Sequence, residues 1–312
     1  MKRSSGIKVF APASVSNVAV GFDILGFALE KPGDEVIVRE GKQKGLRITS
    51  IHGNEARLPY EIHLNTAGFA AQKLLDFLGE SDCPLEMEIF KKMPFGSGLG
   101  SSAASAVAGV FAVSEFLRTG LPKSALLPFA VEAEVVADGA YHADNVAPCL
   151  FGGMILIRDN ASLDVKRIYV PSGLTVVVIY PKIKILTRDS RAVLSDTLDM
   201  KTAILQQGNL AAFVAAMYTG DFDLLGRCLN DVWIEPQRAH LIPAFYDMKE
   251  IALASGALGF SISGAGPSMF ALTQNTHVAQ EISDKAKSLY KQKGIDLEVF
   301  ISGINQEGVV IY

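Results

Sequence analysis

The stretch Pro94-Phe95-Gly96-Ser97-Gly98-Leu99-Gly100-Ser101-Ser102-Ala103-Ala104-Ser105 constrains this chain more than any other. An apolar, strand-like run from Leu85 to Phe90 leads into it, and a small-residue, helix-like run from Ser101 to Leu117 leaves it. Three glycines in five positions, Gly96, Gly98 and Gly100, let the backbone turn sharply and approach a ligand closely. A helix that begins there adds unpaired N–H groups and the positive end of its dipole. Together these make an anion site suited to phosphate. The thin side chains from Ser101 to Ser105 leave the first turns accessible, and the Ser102 hydroxyl is a candidate oxygen ligand for magnesium. Taken alone, the segment also fits a Gly-rich turn before a tightly packed helix.

Two nucleotide motifs are excluded. No G-x-x-x-x-G-K-[ST] is present. A dinucleotide fold needs an acid at the end of its second strand, whereas Glu115 falls inside the helix that starts at Ser101. The 312 residues suffice for two domains with a sizeable core, and 49% hydrophobic content rules out disorder. A net charge of −4 offers no general attraction to nucleic acid or to an anionic membrane. Cys83, Cys149 and Cys228 are too scattered for a zinc site, and so sparse a set fits a reducing cytoplasm. Met1-Lys2-Arg3 is basic, but no apolar signal core follows it, and no run is long enough to span a bilayer.

Strand patterns occur at Ile7–Ala11, up to Glu30, at Glu35–Glu40 and at Leu46–Ile51. A polar turn region covers Ala13–Gly21. Helical periodicity runs from Leu64 to Leu78, with Asn65 as an N-cap, and again over Lys123–Ala137. A polar connector at His142–Pro148 precedes a strand at Phe151–Arg158. The pattern loosens around Asn160–Gly173, which places a domain division at 165/166. The second half reads strand (Leu174–Tyr180), helices (Arg188–Gly256), two strands (Leu258–Ser263, Met269–Thr273), helix (Thr276–Gln292) and strand (Leu297–Ser302). That order predicts a ferredoxin-like unit with a helical insertion, so the fold class is α+β.

Several polar groups are candidates for chemistry. Phosphoryl transfer needs positioning and charge neutralisation, and hard cations take oxygen ligands. Glu134, on the helix after Ser102, is a candidate for the second ligand, though a solvated helix glutamate is the simpler reading. Arg191 and Arg238 could grip a carboxylate in a bidentate fork, or could be ordinary surface charges. His142, Asp144 and Asn145 suit a polar substrate or an Asx turn equally. Asp23, near Asn17, could meet an ammonium group or could end a strand. Ser263-Gly264-Ala265-Gly266-Pro267-Ser268 is a second glycine-bearing loop.

Three of these segments carry a family resemblance. Pro94-x-x-x-Gly98-Leu99-x-Ser101-Ser102-Ala103 resembles the central motif of the GHMP small-molecule kinases. Ala11-Pro12-Ala13-Ser14-Val15-Ser16-Asn17 with Gly21-Phe22-Asp23 resembles their first motif, and Ser263–Ser268 their third. His142–Pro148 and Glu235-Pro236-x-Arg238-x-x-Leu241-Ile242-Pro243 are similar to the branch that acts on L-homoserine. The resemblance runs essentially end to end. It implies a ribosomal-protein-like N-terminal domain (1–165) that binds ATP and a ferredoxin-like C-terminal domain (166–312). It further implies ATP-dependent phosphorylation of the L-homoserine hydroxyl on the route to threonine, with no nucleic-acid or membrane partner, and the analogy allows a homodimer. Another kinase of the group acting on a different carboxylate-bearing alcohol, and a non-catalytic ligand-binding relative, are the competing readings.

Residue by residue, the resemblance implies that Pro94, Gly96, Ser97, Gly98, Leu99, Gly100, Ser101 and Ser102 wrap the ATP phosphates. Gly264 would close over them and Asn65 would lie on the nucleotide side. Ser102 and Glu134 would hold Mg2+, with Thr187 near the transferred phosphate. Asn17, Asp23, His142 and Asn145 would line the amino-acid pocket, Asp23 opposite its ammonium, and Arg191 and Arg238 would clamp its carboxylate. Two departures from the family pattern stand out. Ala19 replaces a common glycine, so its turn is expected to avoid glycine-only angles. Ala265 replaces a common serine, which removes a hydroxyl from the third loop.

Overall fold

A computed structural model describes residues 6–53, 58–139 and 141–312; Met1-Lys2-Arg3 lies outside them. The first half contains β1 (Ile7–Ser16), β2 (Leu25–Glu40), β3 (Leu46–His52), α1 (Thr66–Leu78) and β4 (Leu85–Phe90). It continues with α2 (Ser101–Leu117), α3 (Lys123–Asp138), α4 (Val146–Phe151), β5 (Met154–Asp159) and β6 (Asp164–Ile168). The second half contains β7 (Thr175–Pro181), α5 (Thr187–Ala192), α6 (Met200–Thr219), α7 (Phe222–Cys228) and α8 (Glu235–Arg238). It ends with α9 (Phe245–Ala254), β8 (Gly259–Ile262), β9 (Met269–Thr273), α10 (Thr276–Gln292), β10 (Leu297–Ser302) and β11 (Val310–Ile311).

The 16-residue β2 is the hub of the first sheet. It pairs with β1 along most of its length, with β4 through residues 35–40 and with β5 through residues 25–27. The sheet order is β11-β1-β2-β4-β3, with β6 carried on β5. The strands expected to stop at Glu30 and resume at Glu35 are therefore one continuous β2. The region read as polar turn from Ala13 belongs to β1 as far as Ser16. The 165/166 division falls within β6, which pairs with β5 in the first sheet. The connector at His142–Pro148 runs into α4, because the buried Val146, Ala147 and Leu150 must turn back onto the core.

The second sheet has the order β10-β7-β9-β8, all antiparallel. In chain order that is fourth, first, third, second, the ferredoxin-like arrangement, with α5 to α9 inserted between its first two strands. Side chains alternate across it, as strand geometry requires. Val176, Val178, Phe270 and Leu272 join the core of the first half. Val177, Ile179, Met269 and Ala271 pack instead with Phe245, Ile282 and Tyr290 on the far side. Phe27 meets Phe270 edge-on at 6.0 Å, so the two halves share one core rather than touching across a seam.

Helix α2 is buried from Ala103 to Ser114, which is why it carries apolar and small residues on every side. Gly109 allows its close crossing with α1: a Cβ there would lie 2.9 Å from the Ala67 Cα and carbonyl carbon. Gly109→Ala should gain helix propensity yet lose about 1–3 kcal/mol to overpacking. Urea unfolding should show a lower midpoint with an unchanged slope.

Candidate active site

Helix α2 begins at Ser101 behind Gly100, whose φ is +65°, and no side chain caps it. Among the described residues, no backbone N–H from Gly96 to Ala103 donates to a carbonyl outside the helix. The free donors of a helix start and a glycine loop thus converge on open space, as an anion site requires. Three of the loop's carbonyls, by contrast, are occupied. Ser14 N–H donates to the Leu99 carbonyl, Ser268 N–H to Ser97, and the Ser263 hydroxyl to Gly98 at 2.7 Å. Gly98 has φ +78°, and a Cβ on it would sit 2.5 Å from the Ser263 carbonyl oxygen.

These contacts draw the three motifs together around a cleft of about 470 Å3. Gly96, Ser97, Gly98, Gly100, Ser101, Ser102, Glu134, Thr187 and Gly264 line it, as do Asn17, Asp23, His142, Asn145, Arg191 and Arg238. Three of the expected residues do not line it. The Leu99 side chain is fully buried in the core. Pro94 contributes through its carbonyl, which accepts the Ser97 hydroxyl. Asn65 accepts from Ala67 N–H and Gly68 N–H and donates to Pro59, so its amide is spent capping α1. The next residue does reach the loop's helix, for the Thr66 hydroxyl donates to the Ser102 carbonyl.

At one end of the cleft, the Ser102 hydroxyl donates to Glu134 at 3.0 Å. Their helices, α2 and α3, pack side by side, and Glu134 is buried. A hydroxyl and a carboxylate are two hard oxygen donors, which suits Mg2+. Among the described residues no three His, Cys, Asp or Glu side chains converge into a metal cage. Mg2+ is usually held by one or two protein oxygens, with phosphate and water completing the shell.

At the other end, Arg191 makes a bidentate pair with Asp23, at 2.9 and 3.1 Å. The group expected to meet an ammonium and one of those expected to meet a carboxylate therefore neutralise each other. His142 Nε2 lies 3.6 Å from Asp23 and 3.4 Å from Arg191. Arg238 is 3% exposed, and it bonds to the Ser190 and Gly264 carbonyls rather than to a carboxylate. Burial, and then the nearby Arg191 charge, lower its pKa to about 10, so it remains a cation at neutral pH. Its two carbonyl bonds tie α5 to the third loop, as does the Ser190 hydroxyl, which donates to Ala265.

Asn17 and Asn145 line the cleft with amides already engaged. Asn17 donates to the Gly264 carbonyl and accepts from Asp23 N–H. Asn145 bridges the hydroxyls of Ser14 and Ser16. The turn that Asn17 starts corrects an expectation: Ala19 does adopt a left-handed backbone, φ +59°, as do Asn17 and Val18. Such angles cost an alanine or a valine about 1–3 kcal/mol each. Here they are held by burial of both side chains and by Gly21 N–H, which donates to the Asn17 carbonyl.

Two further residues shape the site: Phe22, given no role from sequence, and Asp144, given only a share in a polar cluster. The Phe22 ring lies beneath both guanidinium groups, 5.3 Å from Arg191 and 5.0 Å from Arg238, so it spaces two like charges by cation–π attraction. Asp144 is buried against the cleft beside Asp23. Burial first, and then that neighbouring charge, push its carboxyl up to about 7. It stood in the His142–Asn145 cluster, but only burial distinguishes it from its neighbours.

The geometry agrees with comparisons to known proteins. Residues 65–153 match the GHMP kinases N terminal domain, and residues 213–292 match the GHMP kinases C terminal family. A homoserine kinase of Chlorobium phaeovibrioides is 42% identical over 98% of this chain and 99% of its own. The crystal structure of homoserine kinase from Cytophaga hutchinsonii superimposes with a TM-score of 0.97 at 45% identity, covering 100% of this chain and 99% of that one. The L. major mevalonate kinase, at 17% identity and a TM-score of 0.72, shares the fold over 97% of this chain and 99% of its own.

The raised Asp144 carboxyl has a consequence for stability. Between its ordinary value of 3.8 and about 7, the folded state keeps a proton that the unfolded chain has released. Asp144 therefore makes stability fall as pH rises through that window. Asp144→Asn should flatten this part of the profile, seen as a smaller change in urea midpoint between pH 4.5 and 7.5. Taken together, the matched regions and the near-complete overlap with these relatives show that the chain belongs to the GHMP kinase family, among its homoserine kinases.

Proposed function

We propose that this chain transfers the γ-phosphate of ATP to the side-chain hydroxyl of L-homoserine, giving O-phospho-L-homoserine, a step towards threonine carried out in the cytoplasm. One observation carries the reading: a cradle of free N–H groups and a cluster of one carboxylate with two arginines open onto the same cleft. The first recognises a polyphosphate and the second a zwitterion. Arg191 and Arg238 speak for an acceptor that bears a carboxylate, and Asp23 beside them for one that bears an ammonium as well. A non-catalytic relative would have no use for the Ser102–Glu134 pair.

In this reading the N–H groups from Gly96 to Ser102 hold the β- and γ-phosphates, with Gly264 on the opposite wall. Ser102 and Glu134 would hold Mg2+, which when bound neutralises phosphate charge. Thr187 stands at the cleft wall near the transferred group. The α-ammonium of the substrate goes to Asp23 and its carboxylate to Arg191 and Arg238, exchanging the Asp23–Arg191 pair for two pairs with ligand. An acceptor with a single charge opens that pair and leaves one member without a partner. Asn17, His142 and Asn145 shape the pocket wall between the two ends. The cradle and the clamp together fix the hydroxyl in line with the phosphorus, and such positioning supplies most of the acceleration in this chemistry. A loose transition state demands little activation of the nucleophile, so the hydroxyl proton leaves late, onto the phosphate.

The acceptor panel tests this. L-homoserine should exceed 4-hydroxybutanoate and 3-aminopropan-1-ol in kcat/KM by about thirtyfold or more, since a charge left without its partner at such a site costs about 2–5 kcal/mol. Equal use of 4-hydroxybutanoate would remove the ammonium site from the mechanism. Arg238→Met should raise KM for L-homoserine with KM for ATP unchanged. Ser102→Ala and Glu134→Gln should lower kcat and raise the Mg2+ concentration giving half the maximal rate.

A further inference from the structure

Beneath the phosphate loop lies a buried ion pair that the chemistry above does not use. Asp34, on β2, is fully buried, and the Lys91 side chain, just past β4, is 4% exposed. Their charged ends are in direct contact. Each then reaches the loop from a different side. Asp34 Oδ1 accepts from Lys92 N–H at 2.8 Å and Met93 N–H at 3.1 Å, the residues that lead into Pro94. Asp34 Oδ2 accepts the Ser101 hydroxyl at 3.2 Å. Lys91 Nζ donates to the Ser101 carbonyl at 2.8 Å and to the Ser105 hydroxyl at 2.7 Å.

The pair thus binds both ends of the loop, its departure from β4 and its arrival at α2, without itself lining the cleft. Burying two charges is a poor way to gain stability, because desolvation offsets their attraction. Two well-packed apolar residues would hold the core as well, but they would not fix a carbonyl and two N–H groups in set directions. We propose that Asp34 and Lys91 are positioning residues for phosphate binding, setting the distance and orientation between the Met93 and Ser101 ends of the loop so that its N–H groups converge before ATP arrives. The gain is preorganisation: a loop already ordered loses less entropy when its ligand binds.

This inference rests on residues 96–102 being the triphosphate cradle, and the test separates the two. Calorimetric titration of the wild-type protein with Mg2+ and the ATP analogue AMP-PNP examines the cradle itself; no binding there would defeat that reading and this one with it. Given binding, Lys91→Met and Asp34→Asn should each weaken AMP-PNP affinity tenfold or more, with L-homoserine affinity within twofold. Lys91→Arg, which keeps the charge and the donors, should recover most of the loss. The double variant Asp34→Asn/Lys91→Met removes both charges and serves where a single variant does not fold. Its thermal midpoint should return towards wild type while AMP-PNP affinity stays at least tenfold weakened. Recovery of affinity together with stability would show that the pair only supports the core, and would overturn the proposal. Unchanged AMP-PNP affinity in folded single variants would overturn it too.

Discussion

The site exists because three loops from distant parts of the sequence touch backbone to backbone. Gly98 lies directly against the carbonyls of Ser263 and Gly266, with room for a hydrogen but not a methyl group. Asn17 and Ser16 reach the same third loop, through the Gly264 carbonyl and N–H. These contacts engage the Ser97, Gly98 and Leu99 carbonyls and leave the N–H groups from Gly96 to Ala103 without backbone partners outside the helix. The polarity of the cradle is therefore in large part a product of assembly. Apart from its partners, the glycine loop has donors and acceptors in similar supply; docking shifts that balance towards donors.

That division explains what could be read from the sequence and what could not. Helices α2 and α10 and strands β4 and β10 have the boundaries their patterns predict, because local periodicity and punctuation decide them. The left-handed run at Asn17–Ala19 could not be foreseen. A buried alanine and valine hold angles that their intrinsic preferences oppose, and the restraint comes from Gly264 and Gly21. Likewise β2 reads as two strands, because Lys31-Pro32-Gly33-Asp34 has the composition of a turn. Its continuity is imposed by partners on both sides, β1 and β4.

The site residues divide in the same way. Ser102, from the glycine motif, and Glu134, from the next helix, were candidates from sequence, and the packing of α2 on α3 brings them to hydrogen-bonding distance. What Phe22 and Asp144 do could not be read, since it depends on what lies over them: two guanidinium groups for one, burial beside Asp23 for the other. Asn65 lies off the cleft. Its side chain does the local work that its position before a helix foretells, accepting two N–H groups of α1 and donating to Pro59.

The core that runs without interruption from β1 into β7 and β9 has a bearing on motion. Val176, Val178, Phe270 and Leu272 are embedded among first-half side chains, so swinging the halves apart would strip that surface bare. Breathing of the cleft must be sought in what lies outside this joint. The segment from Lys182 to Asp199 lies outside it, mostly solvent-facing and fastened over the cleft at Ser190 and Arg191. Lifting that segment would cost a few polar contacts, whereas parting the halves would cost a core.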